Sequence, residues 1–106
     1  MKTREYYLLL ALAGGARHGL AMARDVEQLS DRDIKLWPAT LYGTLEDLIE
    51  HGWITEVSQP PADESERKRF YTLTRAGRQA LAGETDRLAS VVKVARARLK
   101  RAGETS

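Results

Sequence analysis

The side chains of this sequence that could do chemistry are hydroxyls and cations. Three hydroxyl-bearing residues lie close together near the middle of the chain: Thr40, Tyr42 and Thr44. An uninterrupted basic triplet follows: Arg67, Lys68 and Arg69. Hydroxyls both donate and accept hydrogen bonds, and guanidinium and ammonium groups bind anionic oxygens. These residue types indicate the binding of a polar, anionic partner.

Catalytic and metal chemistry have little support in the sequence. The chain has no cysteine, and its two histidines, His18 and His51, lie in different predicted elements with no companion ligands. There is no glycine-rich phosphate loop, and no serine, histidine and acid can be placed together. We therefore predict that the protein is not an enzyme and holds no metal or cofactor.

The charge is small in sum but uneven along the chain. The net charge is +2, with five basic residues and no acid in 67–78 and again in 93–101. Such clusters suit an anionic polymer, although they are also common on solvated helix faces. The longest apolar run, Tyr6 to Ala13, is too short to span a bilayer, and the lack of cysteine fits a reducing compartment. We expect a cytoplasmic protein.

The segment 38–51 is predicted to be the helix that presents the hydroxyls. Pro38 suits a first helical turn, and Gly52 can end a helix in a left-handed conformation. An apolar stripe at helical spacing runs between them: Leu41, Leu45, Leu48 and Ile49. The opposite face is low and polar, as insertion into a groove of DNA requires. An ordinary surface helix is the alternative, and this pattern taken alone favours it.

The other elements complete a mostly α fold with a small β-hairpin. We predict helices over 4–13, 20–30 and 75–101, a short strand over 34–37, and hairpin strands over 53–58 and 67–73. Helix 4–13 is apolar on every side after Glu5, so we expect a second subunit to cover part of it. His18 can cap or pack at the start of helix 20–30. This order is that of a winged helix-turn-helix, with residues 1–74 as the DNA-binding domain.

The last helix, with residues 75–106, is predicted to be a dimerisation element. Thr74 suits its N-cap. Its apolar residues are spaced seven, four, three and four apart, which is close to a heptad repeat and typical of a helix lying on a partner helix. They are Leu81, Leu88, Val92, Ala95 and Leu99.

The basic triplet lies where the tip of the hairpin, residues 59–66, meets its second strand. There it can contact phosphates or an adjacent minor groove. The alternative is an edge strand protected by charge against pairing with other chains.

Four segments together resemble the PadR family of bacterial transcriptional regulators: Leu8–Leu12, His18-Gly19, Leu36–Leu45 and Arg67–Arg78. Pro-x-Thr-Leu-Tyr with Tyr-x-Leu-Thr-x-x-Gly is more specific than either motif alone. The short C-terminal part is similar to that of the compact members.

The resemblance implies a homodimer, usually a repressor, that binds a pseudo-palindromic operator and often responds to a small aromatic compound. It implies DNA contacts by Thr40 and Tyr42, with Thr44 a weaker candidate, and phosphate contacts by Lys35 and the basic triplet. Helix 4–13 and the last helix would form the dimer through Tyr6, Leu10, Leu81, Leu88, Val92, Ala95 and Leu99. The last helix has no aromatic residue, so a dimer interface without ligand is an equal alternative.

Three features of the sequence depart from the family pattern. Trp37 replaces a small polar cap before Pro38, and Leu20 replaces a tyrosine. Glu46 and Asp47 stand where basic residues are common, and carboxylates repel DNA phosphates. These acids support the competing hypothesis of a winged-helix protein-interaction module that dimerises without binding DNA.

Overall fold

A computed structural model describes residues 1–57 and 69–105 of the chain. Its elements are α1 (Thr3–Ala11), β1 (Arg17–His18), α2 (Gly19–Leu29), α3 (Pro38–Glu50), β2 (Ile54–Glu56), β3 (Phe70–Leu73) and α4 (Arg75–Thr105). The predicted fold class is confirmed: a mostly helical winged helix with a small antiparallel sheet and one long C-terminal helix. Within the described residues, no helix is both long enough and apolar enough to cross a membrane.

The sheet corrects two predictions. It has three strands in the order β1-β3-β2, so β1 is a strand that the sequence did not reveal. Arg17 lies opposite Tyr71 and Ile54 opposite Leu73. A two-residue strand is too short to show an alternating pattern, which is why periodicity missed it. The predicted strand 34–37 is wrong, because this segment joins no ladder among the described residues.

The core lies between the first three helices and the sheet. Its fully buried side chains are Leu8, Leu9, Leu12, Met22, Val26, Leu41, Leu45, Leu48 and Ile54. All of them lie on the first three helices except Leu12, which directly follows α1, and Ile54, which lies on β2. Burial of this apolar surface is the main driving force for folding.

Contrary to the expectation from the sequence, the apolar surface of α1 does not require a second subunit to cover it. The chain's own α4 packs on α1, and the Tyr6 hydroxyl lies 2.8 Å from Thr85 Oγ1 of α4. Leu81 of α4, predicted at the dimer interface, belongs instead to the core of the same chain, with 9% of its surface exposed.

The start of α4 is fixed on the turn between α3 and β2. Thr74 caps the helix as predicted, because its Oγ1 accepts a hydrogen bond from the Gly77 backbone N–H at 3.0 Å. The same hydroxyl donates to the carbonyl of Gly52 at 2.6 Å, and the Thr74 N–H donates to the carbonyl of Trp53 at 3.0 Å. Gly77 then lies so close to Trp53 that a Cβ built on it would be 1.9 Å from the Trp53 carbonyl oxygen.

Substitution of alanine for each of the two early glycines of α4 is therefore expected to have opposite effects on stability. Gly77→Ala forces α4 away from Trp53 and is expected to destabilise the protein by more than about 2 kcal/mol, in the range of overpacking combined with a disrupted helix cap. Gly83→Ala is the matched control, since a Cβ at Gly83 meets nothing within 4 Å. It is expected to stabilise the helix by up to about 1 kcal/mol. Urea unfolding followed by circular dichroism measures both, and equal effects would contradict the close approach at Gly77.

Candidate nucleic-acid interface

The outward face of α3 is polar and accessible, as the sequence predicted. Leu41, Leu45 and Leu48 are buried, while Thr40 and Gly43 are exposed on the other side of the helix. Pro38 is the first helical residue, and Gly52 has the positive φ of 77° expected after a helix end. The helix therefore anchors one face in the core and leaves the hydroxyl of Thr40 available to a ligand.

Thr44 does not belong to this accessible face, which corrects its prediction as a DNA contact. Only 3% of its surface is exposed. Its Oγ1 donates to the Thr40 carbonyl at 2.7 Å and accepts a hydrogen bond from Arg4 Nε at 3.2 Å. Thr44 therefore joins α3 to α1, because both hydrogen-bonding capacities of its hydroxyl are used inside the protein.

Tyr42 combines packing and exposure. A Cβ built on Gly19 would lie 3.3 Å from the Tyr42 ring, so the ring packs directly on the start of α2. The side chain still has 40% of its surface exposed. His18 holds the same helix start, since its Nδ1 accepts a hydrogen bond from the Ala21 N–H at 3.2 Å. Its ring also packs edge-on against Phe70, so His18 both caps the helix and packs at its start, the two roles that the sequence allowed.

Trp37 and Lys35 form a contact of their own in front of α3. Trp37 makes no side-chain cap hydrogen bond, as its type predicted, and 63% of its surface is exposed. Lys35 Nζ lies 4.7 Å from the centre of the Trp37 ring, within cation–π distance. The lysine ammonium is therefore held near the first turn of α3 by an aromatic ring.

The wing is described only in part. Arg67 and Lys68, like the tip 59–66, lie outside the described residues. Arg69 is exposed, and its Nε lies 3.7 Å from Glu56 Oε1 on the neighbouring strand. An exposed pair at this distance holds a cation only weakly, which leaves Arg69 available to an anionic ligand.

A basic cleft beside α3 was missed by the sequence analysis. It encloses about 590 Å³ between the start of α1, the segment before α3 and the first turn of α3. Its lining residues are Lys2, Thr3, Arg4, Asp33, Ile34, Lys35, Leu36 and Thr40. Only the tertiary packing of α1 on α3 brings Arg4 next to Lys35, so no spacing in the sequence could have indicated it.

The surface of α4 carries an uncovered apolar face. Ser90, Val91, Val94, Ala95, Arg98 and Leu99 line a shallow groove of about 640 Å³. Val92 is 48% exposed and Leu99 73% exposed, whereas Leu88 is half-buried. Val91 and Val94 are exposed members that the predicted stripe left out. Tyr6 and Leu10, the predicted interface residues of α1, are both half-buried within the chain.

Residues 8–83, most of the chain, match the PadR-like family of transcriptional regulators. The chain belongs to this family. The match spans α1 through the first turns of α4, and so contains Tyr42, Thr44 and Gly77. PadR family members are transcriptional regulators.

Solved structures share this PadR fold. A PadR family regulator from hypervirulent Clostridium difficile matches with a TM-score of 0.73 and 19% identity, over 88% of this chain and 94% of that one. RosR from H. salinarum matches with a TM-score of 0.70 and 24% identity, over 85% and 76%. PadR from Bacillus subtilis, solved in complex with operator DNA, matches with a TM-score of 0.66 and 24% identity, over 79% and 47%.

One curated relative is a 37.1 kDa protein of a Streptomyces fradiae transposon. It is 35% identical over 91 residues, which are 84% of this chain and 24% of that protein. This chain therefore spans about a quarter of the length of the relative it matches.

The hydroxyl of Tyr71 makes the stability of the fold depend on pH in the alkaline range. Burial raises the pKa of the Tyr71 hydroxyl above its ordinary value, although the hydrogen bond with Arg69 acts against this. A raised pKa means that the folded state favours the neutral phenol. Its contribution to stability is therefore complete below about pH 10 and diminishes as the pH rises beyond that.

We expect the free energy of unfolding of the wild type to fall relative to that of Tyr71→Phe as the pH rises from about 10 to 11, because below the ordinary tyrosine pKa of about 10 the phenol is neutral in both the folded and the unfolded chain. Urea titrations of both proteins across this range provide the measurement. Parallel pH profiles of the two proteins would contradict a raised pKa at Tyr71.

Proposed function

We propose that this PadR family member is a DNA-binding repressor that recognises a pseudo-palindromic operator as a homodimer. The observation that carries the proposal is the exposed first half of α3, where Thr40 and Tyr42 stand out from a helix anchored by buried leucines. A helix with these dimensions and hydroxyls fits the major groove, where base edges offer donors and acceptors. Lys35, just before α3, and Arg69, just before β3, are exposed and would supply cations for the backbone phosphates.

Dimerisation is proposed through α4, with residues 1–74 as the DNA-binding unit and 75–106 as the dimerisation unit. The support is the exposed apolar groove of α4, because valine and leucine side chains gain about 1.5–3 kcal/mol each when they leave water. A two-fold axis between two such helices would place two copies of α3 on successive turns of DNA. The half-sites would then lie about one helical turn, or a multiple of it, apart.

The proposed effector is a small aromatic compound that binds at the two-fold interface. The sequence of α4 contains no aromatic residue that could stack on a flat ring. A small aromatic compound at the two-fold interface would therefore be held by valine and leucine side chains alone. We expect the protein to act in the cytoplasm, on DNA that lies close to its own gene.

Binding to the DNA immediately upstream of its own gene tests the proposed function. We expect saturable, sequence-selective binding in fluorescence anisotropy, with an affinity that falls steeply as the salt concentration rises. Thr40→Ala should reduce the preference for this DNA over a random duplex by about tenfold, the scale of a single base-edge hydrogen bond. Arg69→Gln should weaken binding to both duplexes by the same factor, since phosphate contacts carry no sequence information.

The competing function is a protein-interaction module. The observation that favours it is the exposure of Glu46 and Asp47 on the same face of α3, because these carboxylates repel phosphates. If the wild type bound its upstream DNA no better than a random duplex, the repressor proposal would lose its support. The charge reversal of Arg67, Lys68 and Arg69 together to glutamate separates the two functions, since it should abolish DNA binding and leave a protein partner bound.

The dimer proposal predicts that two glutamates on the apolar groove prevent association. Val91→Glu combined with Leu99→Glu is expected to give a monomer in light scattering at micromolar concentration, where the wild type is a dimer. Ala89→Glu combined with Ala97→Glu adds the same charge to the other side of α4 and should leave the dimer intact. A monomeric wild type at this concentration would refute the dimer.

A further inference from the structure

The basic cleft beside α3 has the composition of an oxyanion site. Three cations line it, Lys2, Arg4 and Lys35, together with the hydroxyl-bearing residues Thr3 and Thr40. Asp33 is the one acid in the lining, and Ile34 and Leu36 supply apolar surface. Three cations against one carboxylate leave the cleft with an excess of positive charge.

Arg4 is held in place by α3 itself. Its Nε donates to Thr44 Oγ1 at 3.2 Å, and this threonine is buried in the middle of the helix. The bond uses one of the five guanidinium N–H groups, which leaves the two terminal nitrogens free to bind an anion. Arg4 has no carboxylate within ion-pair distance in residues 1–57 and 69–105.

Lys35 is also restrained, and the backbone of Lys2 is fixed at the start of α1. Lys35 Nζ lies 4.7 Å from the centre of the Trp37 ring, which restrains a side chain that would otherwise be free to move. The first turn of α1 is fixed because the Lys2 N–H donates to Glu5 Oε1 at 2.8 Å. Such restraint lowers the entropy that binding must remove, which is the general advantage of a preformed site.

We infer that this cleft binds a phosphodiester of the operator backbone, an inference that rests on the proposed function. Thr40 belongs both to the cleft and to the outward face of α3, so an anion in the cleft would lie next to the groove that α3 occupies. Guanidinium, ammonium and hydroxyl groups are the usual phosphate ligands of DNA-binding proteins. Arg4 neutralises a phosphate and also positions the DNA, because the DNA strand that it binds determines how α3 lies in the groove.

The cleft also explains how α3 can carry Glu46 and Asp47. The distance along the helix from Thr40 to Asp47 is about 10 Å at roughly 1.5 Å per residue. A backbone held at the first turn of α3 favours an approach by the N-terminal end of the helix. Asp47 then lies farther from the phosphate held in the cleft than the Debye length of about 8 Å at physiological salt, so its repulsion of that phosphate is largely screened, and Glu46 lies close to that limit.

The first experiment compares two double variants of equal charge. Arg4→Gln with Lys35→Gln removes two cations from the cleft, and Lys93→Gln with Lys100→Gln removes two from the exposed side of α4. Binding to the upstream duplex is measured by anisotropy at several NaCl concentrations. We expect the cleft variant to bind about tenfold more weakly or worse. Its plot of log affinity against log salt should become shallower by about 0.9 for each phosphate that it no longer neutralises, while the control keeps the wild-type slope.

A second measurement does not depend on Arg4 and its structural bond to Thr44. The chain has no cysteine, so Thr3→Cys carries a unique thiol at the cleft to which an iron–EDTA group can be attached. We expect it to cleave the upstream duplex at a few backbone positions beside each half-site. The same group attached to Ala97→Cys on α4 should cleave at background level. Equal, background cleavage by both labelled proteins, at wild-type affinity, would overturn the inference.

The outcomes separate the cleft from the proposed function. If the wild type binds its upstream DNA and the cleft variant matches it in affinity and salt slope, the cleft inference alone is wrong. If Arg4 and Lys35 are needed to bind inorganic phosphate but not DNA, the cleft takes a small anion and the inference is again overturned. If the wild type binds no DNA selectively, the proposed function fails and the operator phosphate fails with it.

Discussion

The structure depends on the close contact between the start of α4 and the turn that follows α3. Thr74 caps α4 and bonds Gly52 with the same hydroxyl, and Gly77 lets the helix approach the Trp53 carbonyl closely. These contacts join the end of α3, the sheet and α4 at one point. The position of α4 relative to α3 is therefore fixed at this junction, by Thr74 and Gly77 of the Tyr-x-Leu-Thr-x-x-Gly motif.

The helix α3 is held from two sides. Its leucines are anchored in the core, and Thr44 binds Arg4 of α1, so the exposed face cannot rotate without breaking a buried contact. The cations around it differ in how they are restrained, with Lys35 on the Trp37 ring and Arg69 near Glu56. The electrostatic pattern is therefore asymmetric along α3, positive where the helix begins and negative at Glu46 and Asp47.

The apolar surface of the chain is divided between a part that is buried in the core and a part that is exposed on α4. The first part of α4 folds onto α1, where Leu81 enters the core and Tyr6 bonds to Thr85. The following turns are exposed, with apolar side chains and no cover within the described residues. The environment of α4 thus changes at about Leu88, from contact with the core to exposure. The sequence showed one continuous stripe, because helical periodicity does not distinguish a core contact from an intermolecular one.

Local signals in the sequence determined much of this protein. Pro38, Gly52 and Thr74 act through their own backbone chemistry, so helix ends were predicted from residue type alone, and the leucine spacing indicated the buried face of α3. The two specific motifs identified the family. The tertiary structure decided what depends on contacts between distant residues: the burial of Thr44, the pairing of β1 and the cleft that brings Arg4 to Lys35. Such contacts depend on how the helices pack. The periodicity of a single sequence shows which face of a helix is apolar, but it does not show which element packs against that face.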